Sequence, residues 1–101
     1  MSELTMLNDE IVKLELALLE KQKTYAASKK NMEICKLSFK ETLDKKQFSN
    51  DDKREIEALK NDMIANIVKD LQDFDFEIKV LSIEIDFKMR LFKILLKGDD
   101  P

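Results

Sequence analysis

Apolar residues recur along this chain at steps of three and four, the spacing that lays them on one face of a helix. Leu4, Ile11, Leu18, Tyr25, Met32 and Phe39 stand seven apart, and Leu7, Leu14, Lys21, Ser28, Cys35 and Thr42 fill the other inward position of the same heptad. The first row is apolar throughout, whereas the second fails at Lys21, Ser28 and Thr42. The seam is therefore strong at the start and weak over residues 21 to 31, the place for any bend or local opening. A second helical pattern carries Ile56, Leu59, Met63, Ile67, Leu71, Phe74, Ile78, Leu81, Ile85, Lys88, Phe92 and Leu95 inward. Its four-residue steps from Leu59 to Leu71 form a stutter, which locally unwinds a coiled coil.

Between the two patterns lies Phe48-Ser49-Asn50-Asp51-Asp52. No Gly or Pro occurs before Gly98, so polar residues must make the turn. Ser49 is the expected helix cap, with Asp52 three residues on as in a capping box, and Asp51, Asp52 and Glu55 suit the positive end of the following helix dipole. Lys45 and Lys46 suit the negative end of the preceding helix. The spacing predicts one domain over residues 1–101: a helix over about 3–47, a turn at 48–51, a helix over about 50–97 capped by Gly98, and a short tail over 98–101.

The carboxyl-terminal quarter has a second apolar row, Phe76, Val80, Ile83, Phe87, Leu91 and Ile94, beside the inward one. Phe74 to Val80 and Ile83 to Leu91 also alternate apolar and charged, which is a strand signature. Three features favour a helix. Leu81-Ser82 is no hairpin turn. Asp75 with Lys79, Glu84 with Lys88, and Asp86 with Arg90 pair at four-residue spacing with the acid first. Asp75, Lys79, Ser82, Asp86, Arg90, Lys93 and Lys97 form one polar stripe at a period near 3.6. A helix apolar on two sides needs two neighbours. Burying the second row is worth about 10 kcal/mol before entropy costs, at about 25 cal/mol per Å².

Charge sets the pairing direction. An antiparallel hairpin folded near residue 49 places residue i opposite about 97 minus i. Residues 1 to 20 carry net −4 and face residues 77 to 97 at net +2; residues 21 to 46 carry net +5 and face residues 51 to 76 at net −4. Both halves are complementary, and each exposed pair contributes only a few tenths of a kcal/mol, so charge selects the direction more than it stabilises the fold. In this register Ile11 lies near Ile85, and Phe39 near Leu59.

Composition agrees with helices: 44% hydrophobic, 39% charged, one Gly and one Pro. The net charge of −3 gives no overall attraction to nucleic acid or anionic lipid. The Lys-rich stretch 21–46 offers Lys21, Lys23, Lys29, Lys30, Lys36 and Lys40 as phosphate contacts. With sixteen Lys and two Arg in the chain, a solvated face neutralised by the acidic arm is the preferred reading. The start, Met1-Ser2-Glu3-Leu4, lacks the basic and apolar run of a secretory signal, and no apolar stretch is long enough to span a membrane; a soluble cytoplasmic or nuclear protein is expected. Cys35, the only cysteine, falls on the seam as a reduced, buried thiol.

The chain has no His, no Trp, no Gly-rich phosphate loop and no nucleophile elbow. No catalytic residue, metal ligand, cofactor or small-molecule substrate is predicted. The expected fold is all-α, a long antiparallel helical hairpin of coiled-coil type that dimerises into a four-helix bundle. The expected function is non-enzymatic: a protein–protein interaction or assembly module whose partner, a second copy or a heterologous helix, covers Phe76, Val80, Ile83, Phe87, Leu91 and Ile94. A small inhibitor or chaperone using the same surface is the alternative, and a weak anionic-surface binder through residues 21–46 the third.

Overall fold

A computed structural model describes residues 2–98 and is all-helical over them: α1 spans Glu3–Glu41, α2 Asp51–Lys60 and α3 Asp62–Gly98. The alternating stretch from Phe74 to Leu91 is helical throughout, as its acid-first charge spacing requires. No helix among the described residues is long and apolar enough to cross a membrane.

Side-chain hydrogen bonds set the ends of these helices. Ser2 caps α1, its Oγ accepting from the Thr5 backbone N–H at 3.1 Å. The first correction is at the other end, because α1 stops at Glu41 and not near residue 47. There the Thr42 hydroxyl donates to the Phe39 carbonyl at 2.6 Å, and the backbone N–H groups of Thr42 and Leu43 reach back only three residues, to Phe39 and Lys40. Asp44 then accepts from the Lys46 N–H at 2.9 Å, offering the chain a local turn in place of helix.

The cap of α2 is Asn50 and not Ser49: its backbone is extended (φ −127°, ψ 163°), and its side chain accepts from the Lys53 N–H at 2.8 Å. The expected continuous second helix is broken at Asn61. This residue is extended (φ −66°, ψ 128°), its N–H closes α2 on the Ala58 carbonyl at 3.1 Å, and its Oδ1 opens α3 by accepting from Met63 and Ile64 at 3.1 and 3.3 Å. Asp62 supplies the acid favoured in the first turn. Gly98 remains helical without a positive φ, so it is not a left-handed cap; the tail residues 99–101 lie outside the described residues.

Packing divides the chain into two compact units, Met1–Lys23 with Asp75–Pro101, and Thr24–Phe74. In the first, Leu7 and Ile11 of α1 and Ile85 of α3 are buried, with Leu4, Leu14, Leu18, Ile78, Leu81, Phe92 and Leu95 half-buried beside them. Glu10 pairs with Lys88 at 2.9 Å and Lys21 with Glu77 at 2.7 Å. A later residue on α1 thus meets an earlier one on α3, so within this unit the two segments run in opposite directions.

The second unit is centred on Ala58, fully enclosed, and Ile64 at 1% exposure, with Leu71 buried as well. This corrects the inward row expected there. Ile56, Leu59 and Met63 stand exposed, because the break at Asn61 resets the helical phase and Ala58 and Ile64 turn inward in their place. Phe39 shares a groove with Asn61, Met63 and Ile64. From Ile67 onward the expected row holds: Ile67, Leu71 and Phe74 are all shielded.

The two asparagine caps generate a stability prediction. Asn50→Ala and Asn61→Ala are each expected to cost about 1 kcal/mol, whereas Ser49→Ala stays within about 0.5 kcal/mol. Urea unfolding followed by circular dichroism checks all three.

Candidate functional site

The candidate surface lies on α3 in the first unit. At about 100° per residue, Phe76, Ile83, Phe87 and Ile94 point almost directly away from Ile85, the buried residue that faces α1. Their exposures, 68%, 69%, 65% and 65%, contrast with 7% at Ile85. Val80 and Leu91 are less exposed because they lie toward the α1 edge; Leu91 shares a shallow depression with Met6, Leu7 and Leu95. All six expected residues thus fall on one continuous side of the helix, and each is exposed among the described residues.

Two charged edges flank this row. On one, Glu77 and Lys88 are drawn toward α1 by Lys21 and Glu10, and Glu84 shares a depression with Glu10, Lys13 and Lys88. The expected Glu84–Lys88 pair is therefore replaced by Lys88 bridging to Glu10. The other edge is the polar stripe. There Asp75 pairs with Lys79 at 2.9 Å, and the Ser82 hydroxyl donates to the Ile78 carbonyl at 2.9 Å. The polar stripe and the apolar row remain separate along α3, so the row has a sharp boundary on that side.

A second apolar patch lies on α1. Val12, Leu16 and Leu19 of α1 are exposed and fall on one side of that helix, away from the heptad seam. Their spacing of four and three was a readable signal, overshadowed by the stronger seven-residue repeat on the same helix.

The lysines considered as phosphate contacts are partly occupied. Lys21 holds Glu77 in the first unit. In the second, Glu55 takes Lys36 on Oε1 at 2.5 Å and Lys40 on Oε2, while Lys40 also reaches Asp51 at 3.4 Å and Lys36 reaches Glu33 at 3.7 Å. Arg54 donates to the Phe48 carbonyl at 3.2 Å, tying the connecting turn to α2. Cys35 is half-buried in the wall of the apolar groove with Ile34, Phe39 and Ile64, its Sγ 3.8 Å from Asn31 Oδ1.

The clasp around Glu55 has a defined pH dependence. Hydrogen bonds first from Lys36 and then from Lys40 hold the Glu55 carboxyl below its ordinary value of 4.5, and the Glu55 hydrogen bond raises Lys40 above its ordinary 10.5. A lowered carboxyl stabilises the fold above the unfolded-state value and loses that contribution as pH falls through the folded one; a raised amine does so below its unfolded value and loses it as pH rises. The clasp is thus complete between about pH 5 and pH 10. Glu55→Gln is expected to flatten the acid side of the stability profile below about pH 5, measured by thermal unfolding at a series of pH values.

In comparisons with known proteins, no family model matches the chain, and no curated protein and no solved structure gives a significant match.

Proposed function

We propose that this protein is a non-enzymatic assembly module that buries the outward row of α3 against another polypeptide, the antiparallel pair of the first unit forming part of a hairpin and of a larger helical bundle. One observation carries the reading: Phe76, Ile83, Phe87 and Ile94 stand 65% to 69% exposed on the side of α3 away from α1, with Val80 and Leu91 continuing the apolar surface toward the α1 edge. Such a row presents several hundred Å² of apolar surface, at or above the largest patch that a soluble monomer ordinarily leaves in water. Its shape fits a helix laid alongside, since residues at steps of three and four make a ridge that packs between the side chains of a partner helix.

The pairing of Lys21, Lys36 and Lys40 with acids of their own units favours this reading over an anionic-surface binder. Charges engaged in this way must be released before they can neutralise phosphates.

Substitutions on opposite sides of α3 separate docking from folding. Phe87→Asp and Ile83→Asp are expected to abolish association while retaining helix content, because those side chains face outward. Ile85→Asp places a carboxylate in the buried seam and is expected to cost more than about 3 kcal/mol. Light scattering reads self-association, and mass spectrometry of material recovered with a tagged chain from the cells that express it reads heterologous partners. Recovery of the same complexes by the native and both outward variants would overturn the proposal.

A further inference from the structure

We infer that the partner on the α3 row is a second copy of this chain, docked antiparallel about a two-fold axis between Val80 and Ile83. This rests on the docking role proposed above and names its occupant. The first support is the symmetry of the first four residues of the row, Leu91 and Ile94 lying beyond the symmetric part. Phe76, Val80, Ile83 and Phe87 are spaced by four, three and four and run aromatic, β-branched, β-branched, aromatic. They read the same in both directions. An isologous interface needs this property, because each residue must meet its mirror position on the other copy. The axis sets Phe76 against Phe87 of the second copy and Val80 against Ile83 of the second copy, aromatic on aromatic at the ends and branched on branched at the centre.

The second support is electrostatic and comes from the polar edge. Asp75, Lys79, Ser82, Asp86 and Arg90 carry negative, positive, neutral, negative and positive groups in order. Reversal gives the opposite sign at every charged position. Two antiparallel copies therefore set Lys79, which also pairs with Asp75 along its own helix at 2.9 Å, against Asp86, and Asp75 against Arg90, each pair occurring twice. The centre of this charge pattern lies within about one residue, or about 1.5 Å, of the centre of the apolar quartet. Flanking charges of this kind set partner choice and orientation in paired helices. A parallel copy would instead meet the opposite edge, which Lys21 and Glu10 hold toward α1 through Glu77 and Lys88. That edge turns toward α1, so its acids lie away from the proposed axis.

Area is sufficient for a modest interface. Several hundred Å² of apolar surface per copy, with the charged edge added, approaches the roughly 800 Å² per partner of a standard-sized interface.

The test exchanges edge charges between copies. Lys79→Asp alone and Asp86→Lys alone each set like charges together across the axis, and each is expected to weaken dimerisation about tenfold. Mixed in equal amounts, the two single variants restore opposite charges at both symmetry-related contacts, so the mixture is expected to dimerise about as tightly as the native chain. Mixing leaves every contact within a chain unchanged, which separates docking from folding. Light scattering over a range of concentrations gives the mass, expected to approach twice the 11.8 kDa of one chain. Single variants that dimerise like the native chain, or a mixture no tighter than its components, would overturn the antiparallel register. A chain that stays monomeric at every concentration would overturn self-docking itself. In that case recovery of a different protein, lost with Ile83→Asp, would leave the docking role standing, and no such recovery would overturn both.

Discussion

A helix has one axis but many sides, and a single neighbour covers only one of them. α3 carries apolar rows on two opposite sides, and α1 covers the one that contains Ile85. Burial of that inner side holds the first unit together, while the outer side stays exposed among the described residues. The polar residues are arranged around this constraint. Lys21 and Glu10 bind the edge of α3 that faces α1, and Asp75, Lys79 and Asp86 mark the other edge. The chemistry left on the outside is therefore apolar contact with a charged margin.

The second unit is held differently. Its apolar centre is small, built on Ala58 and Ile64, and it is supplemented by the asparagine caps and the Glu55 clasp. Ion pairs screened by solvent add little to stability, so the clasp works chiefly by orienting α2 against α1. Ala58 is fully buried, so a larger side chain there would have to displace its neighbours. Caps and clasp also explain why this segment tolerates Ile56, Leu59 and Met63 facing solvent: its geometry is set by polar bonds as much as by the apolar row.

Legibility of the sequence varied with how strongly the local pattern was determined. The heptad rows of α1 were readable because burial repeats every seven residues without a break, and every position of those rows from Leu4 to Phe39 is shielded. α3 was readable from Ile67 onward for the same reason, and its acid-first charge spacing resolved helix from strand. The break at Asn61 was missed because the large residues Ile56, Leu59 and Met63 continued a plausible row across it. The signal was present in Asn61-Asp62, a strong cap followed by an acid, but it looked weaker than the apolar periodicity it interrupts. Ala58 went unread because a small residue contributes little to a hydrophobic pattern although it permits the closest packing. The early end of α1 depended on Thr42 and Asp44 bonding to the backbone, which competes with helix only once the local geometry is known. The exposure of Phe76, Ile83, Phe87 and Ile94 was legible because their spacing sets them opposite the seam, whereas Val12, Leu16 and Leu19 on α1 were hidden by its dominant repeat.

The most direct measurement is the rate of thiol labelling at position 83, using Ile83→Cys in a Cys35→Ser background over a range of protein concentrations, with Leu16→Cys as the reference on the exposed side of α1. Burial of the α3 row between copies predicts that labelling at position 83 slows as concentration rises while labelling at position 16 stays constant. Equal and fast labelling at both positions at every concentration would contradict it.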